Sequence, residues 1–352
     1  PHCASSIPTL SRRVKHSMRC TGSADSFEMS RFLLHLLLLA FAAWPQAAAA
    51  NGDEDTVRFS FAALGDTPYN TDEEEQFIAM LAELNRSELA FVVHVGDFKS
   101  AHTICSDELY LQRRDWFRLS HHPFVYVPGD NEWTDCWRPF GAGRDPLERL
   151  ARLRELFWAG DQSLGQTSLA LVRQRDAETP PASQYPEHSR WTYGRVLFAT
   201  LNLPGGNNNS TRMPDEAAQR TAAVRAWMRG AFALAREQRL PGLVLFMQAN
   251  PWKRSGQPRP AFVDLLQDLA AEAQAYAGSV LLVHGDTHHF RVGPALVDPS
   301  TRRPVTNVTR LEVYGSPVVN WARVAVTVKG RNANFQVTPG SAFSDPLDGA
   351  RY

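Results

Sequence analysis

Short runs of consecutive apolar residues recur along the chain, and each gives way to glycine or a polar side chain. They are FSFAAL at 59–64, LAFVVHV at 89–95, PFVYVP at 123–128, GLVLFM at 242–247 and SVLLV at 279–283. Runs this short and this continuously apolar predict strands buried on both faces. Between them the apolar spacing changes to three and four. Phe77, Ile78, Leu81 and Leu84 share one face of a helix predicted over 71–86, with Thr71 and Glu74 as its capping box. Asp145-Pro146-Leu147-Glu148 opens a second helix, with proline in its first turn and Leu150, Leu153 and Phe157 turned inward. Further helices are expected at 106–120, 215–239 and 261–276. After His289 only strand patterns remain, at 310–315, 318–329 and 334–337. Strands alternating with helices predict a layered α/β fold. The polar stretches 160–188 and 204–214 are expected to be long surface loops, a common place for a functional rim.

Each buried run ends in a segment that carries acid or amide groups. The segments are Gly65-Asp66, Gly96-Asp97, Gly129-Asp130-Asn131-Glu132, Gln248-Ala249-Asn250 and Gly285-Asp286-Thr287-His288. In open α/β sheets, ligands bind beyond the carboxyl ends of the strands, so these side chains should meet. One such segment is an ordinary turn, since glycine and aspartate are common turn formers. Four, with an amide pair beside them, predict convergent carboxylates. Like charges brought together are costly unless a cation neutralises them, which points to a metal.

In their order these segments resemble the metallophosphoesterase (calcineurin-like) superfamily, from about Phe59 to about Trp321. That family reads D-x-H, then G-D, then G-N-H-E/D, then a lone His after a strand, then G-H-x-H. Asp66 matches the first Asp and Asp97 the second. Gly129-Asp130-Asn131-Glu132 matches the third motif, Gln248 or Asn250 falls at the lone His, and Gly285-Asp286-Thr287-His288 matches the last. Pro68 stands where the first motif has His. Asp130 replaces Asn, Asn131 replaces the catalytic His, and Asp286 replaces a ligand His.

The resemblance implies two facing mixed β-sheets flanked by helices, a four-layer sandwich. It also implies two divalent cations. Asp66, Asp97 and His288 would hold one; Asp97, Asp130, Asp286 and the amide of Gln248 or Asn250 would hold the other. Asp97 would bridge them, since a carboxylate can neutralise both ions of a two-metal site. The oxygen-rich donor set favours Mn²⁺ or Mg²⁺ and leaves Fe, Ca²⁺ and Zn²⁺ open. By the same resemblance a metal-activated hydroxide attacks phosphorus. Asn131 then stands where a His would assist the leaving group, and an amide has no proton to give near neutral pH. His288 is the imidazole kept at a ligand position, and Lys99 is a candidate substitute cation or acid. His94 and His284, inside apolar strands, are expected to support the site through hydrogen bonds.

Composition narrows the setting. The chain has 352 residues, with 37 basic and 37 acidic side chains. Residues 1–28 read as an over-extended gene model. Residues 29–50 read as a secretory signal peptide: a basic start, an apolar run of twelve residues from Phe32 to Ala43 broken only by His35, and a small-residue cleavage site before Asn51. A run of twelve is too short to span a bilayer, which takes ~20 apolar residues. Residues 51–340 are then the folded domain and 341–352 a C-terminal tail. Removing residues 1–50 takes away five basic and two acidic residues, leaving 32 against 35. That balance carries no footprint for nucleic acid or an anionic membrane. No membrane anchor is expected after cleavage. Cys105 and Cys136 are the cysteines that remain, and an exported protein is expected to bridge them.

The sequence therefore predicts a periplasmic or secreted metal-dependent phosphoesterase acting on a small-molecule or exposed phosphoester. The alternative is a degenerate relative that binds a ligand or a single cation without turnover.

Overall fold

The computed structural model describes residues 56–177, 184–294, 296–298 and 301–340. The expectations for 1–50 and for 341–352 fall outside the described residues. Among the described residues twelve strands form two sheets. They are β1 (Val57–Leu64), β2 (Val92–His94), β3 (Phe124–Tyr126), β4 (Val172–Arg173), β5 (Ser189–Tyr193) and β6 (Val196–Thr200). Then come β7 (Gly242–Phe246), β8 (Ser279–His284), β9 (Arg291–Pro294), β10 (Val308–Glu312), β11 (Ala322–Lys329) and β12 (Asn332–Pro339). The first sheet runs β12-β11-β1-β2-β3 and the second β4-β5-β6-β7-β8-β10-β9. Within them β1, β2 and β3 are mutually parallel, as are β6, β7, β8 and β10, while β4, β5, β9, β11 and β12 pair antiparallel.

The two sheets face each other across a shared core. Phe61, Val93, Val125 and Val324 of the first sheet meet Trp191, Phe198, Phe246 and Val283 of the second. Helices cover the outer faces. Thr71–Arg86, Asp107–Arg118 and Pro146–Phe157 bury Phe77, Leu81, Phe117 and Leu153 against the first sheet. Pro214–Glu237 and Val263–Gln274 bury Trp227, Phe232, Leu266 and Leu269 against the second. The expected sandwich of two facing mixed sheets between helical layers is the observed fold. Strand β7 is buried throughout and β8 from Val280 onward, because sheet and helices cover both faces. By contrast β11 alternates buried and half-buried positions, as a strand with one solvated face must.

Three local expectations are corrected. The helix at Thr71 is capped by Asn70, whose side-chain oxygen accepts from Glu73 N, and not by Thr71. The strand expected from 318 begins at Ala322. The stretch 160–188 is not wholly loop, since β4 and a short helix at Gln174–Ala177 lie within it. Cys105 and Cys136 form a disulfide with Cα atoms 5.8 Å apart. It ties the loop after Asp97 to the loop after Asp130. Among the described residues no helix is long and apolar enough to cross a membrane.

Candidate active site

The carboxyl ends of β1, β2, β3, β7 and β8 open onto one rim, and their terminal loops hydrogen-bond to one another. Asp66 N donates to Gly96 O at 2.8 Å, and Gly285 N to Gln248 O at 3.0 Å. Four candidate residues, Asp66, Asp97, Asp286 and His288, adopt left-handed backbone (φ 52°, 58°, 78° and 59°). Such conformations cost energy for non-glycine residues, and they cluster where a side chain must be aimed. Gly285 is required by close approach: a Cβ there would lie 1.9 Å from Asp66 Oδ2.

The acids meet as the strand ends predict. Asp286 N donates to both oxygens of Asp66, each at 3.0 Å. Asn131 N donates to Asp97 Oδ1 at 3.0 Å. A Cβ on Gly205 would lie 2.9 Å from Asp130 Oδ2 and from Asp286 Oδ1, so these two carboxylates point at one place. Burial, reinforced by the charge of Asp286, holds the Asp66 carboxyl well above its usual range. Burial and the charge of Asp130 do the same to Asp97. Asp130 is pushed up to about 8 by burial and the charge of Asp286, and Asp286 to about 6 by burial. Acids whose ionisation is this strongly opposed have the electrostatics of a cation site.

His288 reaches the same place. Its Nδ1 lies 2.7 Å from the carbonyl oxygen of Ser316, which can only accept, so Nδ1 carries the proton and Nε2 is bare. Nε2 faces Asp66 Oδ1 at 3.7 Å and the Tyr69 hydroxyl at 3.3 Å. Burial lowers the pKa of His288, which keeps the ring neutral.

Sequence reasoning missed Tyr69. Its hydroxyl lies 3.2 Å from Asp97 Oδ2 and accepts from Asn131 Nδ2 at 3.0 Å, so one phenol joins Asp97, Asn131 and His288. Burial holds its pKa well above the usual phenol value, so it remains a donor at neutral pH. Glu132, quoted in a motif without a role, is the other residue missed. Its Oε1 accepts from Asp97 N at 3.0 Å, Gly129 N at 2.7 Å and the Tyr126 hydroxyl at 2.6 Å, which pins two acidic loops together.

His94 and His284 support the site as expected. His94 Nε2 donates to Thr67 O at 3.0 Å while Nδ1 accepts from Gly96 N at 3.2 Å. His284 donates to Gly285 O and accepts from Arg310 Nε at 2.7 Å. Arg310 in turn pairs with Glu312, which also holds Thr287.

Three expected roles do not match the geometry. Gln248 presents its nitrogen to the acids: Oε1 accepts from Gly205 N at 2.5 Å, and Nε2 donates to Asp97 Oδ2 at 3.1 Å and Asp66 Oδ1 at 3.4 Å. Asn250 spends its side chain on Thr287 Oγ1 and Trp252 N, and offers Asp286 only its backbone N–H. Neither amide has a free carbonyl oxygen aimed at the acids. Lys99 is buried, and its ammonium donates to the carbonyls of Ser100 and Thr103 in its own loop. Burial lowers its pKa to about 8, against the opposing pull of Glu132 and Asp97.

Among the described residues no three His, Cys, Asp or Glu side chains are grouped so as to hold a metal ion. The donor chemistry nonetheless fits a hard cation at Asp130 and Asp286, since Mg²⁺ is commonly held by one or two carboxylates together with water and substrate phosphate.

No family model matches the chain, and no curated protein does. Solved structures do show likeness. One is PhoD, at 11% identity and TM-score 0.47, over 82% of this chain and 72% of that one. Another is the purple acid phosphatase PPD1 of yellow lupin seeds, at 12% and 0.48, over 84% and 53%. A third is the NAD nucleotidase of Haemophilus influenzae, at 12% and 0.44, over 81% and 56%. The chain spans about half the length of the latter two.

Proposed function

We propose that this chain is an exported, divalent-cation-dependent hydrolase of phosphate esters. The observation that carries the reading is the meeting of four acids, Asp66, Asp97, Asp130 and Asp286, at the strand ends of two sheets. When bound, a cation held by Asp130 and Asp286 supplies charge neutralisation and polarises the phosphoryl group. Carboxylate donors favour Mg²⁺ or Mn²⁺ over Zn²⁺. The chain's own residues supply the rest. Neutral His288, with Nε2 bare, accepts the proton of a water whose oxygen bonds to phosphorus as the ester P–O bond breaks, and the leaving alkoxide takes its proton from solvent. Asn131, steadied by Tyr69, donates a hydrogen bond to a phosphoryl oxygen. The disulfide agrees with an oxidising compartment, and with the leader that 29–50 predicts.

The test is a panel of aryl phosphate monoesters and diesters with Mn²⁺, Mg²⁺ and Zn²⁺. Turnover should need a cation and should fall about a thousandfold in Asp286→Asn, an effect comparable with loss of one electrostatic stabiliser. Absence of turnover with every ester and cation would overturn the reading.

A second reading is favoured by Asn131, which has no proton to transfer: a protein that keeps the fold and binds a ligand or cation without turnover. It predicts cation binding with no ester of the panel cleaved.

A further inference from the structure

We infer that the amide of Gln248 takes the place of one of the two cations that the sequence resemblance implies, so that the site accepts a single divalent cation, at Asp130 and Asp286. The inference rests on the cation-dependent reading above and fixes how many ions that site takes.

The orientation of Gln248 is not free. Gly205 N–H points at its side chain from 2.5 Å and needs an acceptor, so Oε1 must lie on that side. The nitrogen is therefore turned toward the acids, and its two hydrogens go to Asp66 and Asp97, one each. The residue is fully buried, and its backbone carbonyl accepts from Gly285 N, which fixes it on the rim. A primary amide with both hydrogens on two carboxylates links those carboxylates as a cation would, without a net charge.

Both acids also accept from other donors. Asp286 N serves both oxygens of Asp66, Asn131 N serves Asp97 Oδ1, and the Tyr69 hydroxyl reaches Asp97 Oδ2. To bridge two ions, Asp97 must turn two free lone pairs to them, but those of Oδ2 face Gln248 and Tyr69, and Oδ1 already accepts from Asn131 N. An ion placed between Asp66 and Asp97 would displace the Gln248 nitrogen and strand a buried donor.

Asp130 and Asp286 differ. Their oxygens converge beside Gly205, where any larger residue would fill the space: the added Cβ would stand 2.9 Å from each. Asn250 N holds the far oxygen of Asp286 at 2.9 Å and leaves the near one facing Asp130. Two carboxylates, with water and substrate phosphate completing the shell, suit Mg²⁺ or Mn²⁺ and require no group of three protein ligands.

The experiment counts ions. Chelator-treated protein is titrated with Mn²⁺ alone and bound metal is measured by equilibrium dialysis with elemental analysis. Wild type should bind one ion per chain, and Asp286→Asn should bind it at least tenfold more weakly. Gln248→His, which exchanges the amide donor for a ligand, should take up a second ion. Gln248→Glu, which removes the donors and adds charge, should do so too, and serves if the His variant does not fold by circular dichroism. Two ions in wild type would overturn the inference while leaving the phosphoesterase reading standing. No ion in wild type would overturn both. One ion in both folded Gln248 variants would show that Gln248 is not what excludes the second.

Discussion

Replacing Cys105 and Cys136 by alanine removes the covalent link between the two loops that present Asp97 and Asp130. Both cysteines are fully buried, beside Phe98, Tyr110 and Trp133, and they are 31 residues apart. In the chain-entropy treatment, closing a loop of that length stabilises the fold by ~3.7 kcal/mol at 25 °C. The folded unit has ~285 residues, and unfolding entropy near 60 °C is ~2.1 cal/mol/K per residue, or ~0.6 kcal/mol/K in all. The double variant should therefore melt ~6 °C below wild type. Alanine is the right replacement, because serine would bury a hydroxyl in an apolar cluster. The assay is thermal unfolding by circular dichroism, beside peptide mapping that finds no free thiol at Cys105 or Cys136 in native wild type. A melting point within ~2 °C of wild type would show that the bridge does not act by closing this loop, since loop closure calls for ~6 °C.

Three further outcomes are expected at the site. Tyr69→Phe deletes the hydroxyl shared by Asp97, Asn131 and His288; it should destabilise by about 1–3 kcal/mol in denaturant titration, the cost of leaving buried polar groups unpaired. Asn131→His restores an imidazole where the resembled family has one, and should raise the rate on aryl phosphates by ~10² or more if proton transfer limits it. Stability of chelated protein should fall as pH rises from about 4 to about 8, because Asp130 titrates near 8 and Asp286 near 6 when folded, both above ordinary aspartate, so the folded state binds the extra protons. Melting temperature followed across that window should decline, and Mn²⁺ should restore it at pH 8; a flat or rising profile would count against the acid cluster.

Much of this arrangement was legible because it is local. A buried strand followed by Gly-Asp fixes both the layer and the end of the sheet from which the acid emerges, so Asp66, Asp97, Asp130 and Asp286 could be read in sequence. Boundaries were less clear. Asn70 and Thr71 are both good caps, and only the bond from Glu73 N to Asn70 chooses between them. The hairpin of β5 and β6 turns through Gly194-Arg195, both at positive φ, and arginine hides the turn that Asn-Gly would announce. What escaped entirely depends on distant partners. Tyr69 reaches residues 28, 62 and 219 positions away. The direction of the Gln248 amide is set by Gly205, 43 residues earlier. No periodicity or motif records such bonds.

Cation-dependent turnover at the acid cluster is read from the hydrolysis of p-nitrophenyl phosphate by chelator-treated protein as Mn²⁺ or Mg²⁺ is restored. Without cation the protein should be silent, activity should return as the ion binds, and Asp286→Asn should stay about a thousandfold below wild type even when Mn²⁺ saturates wild type. A rate indifferent to chelation, or one retained by Asp286→Asn, would contradict it.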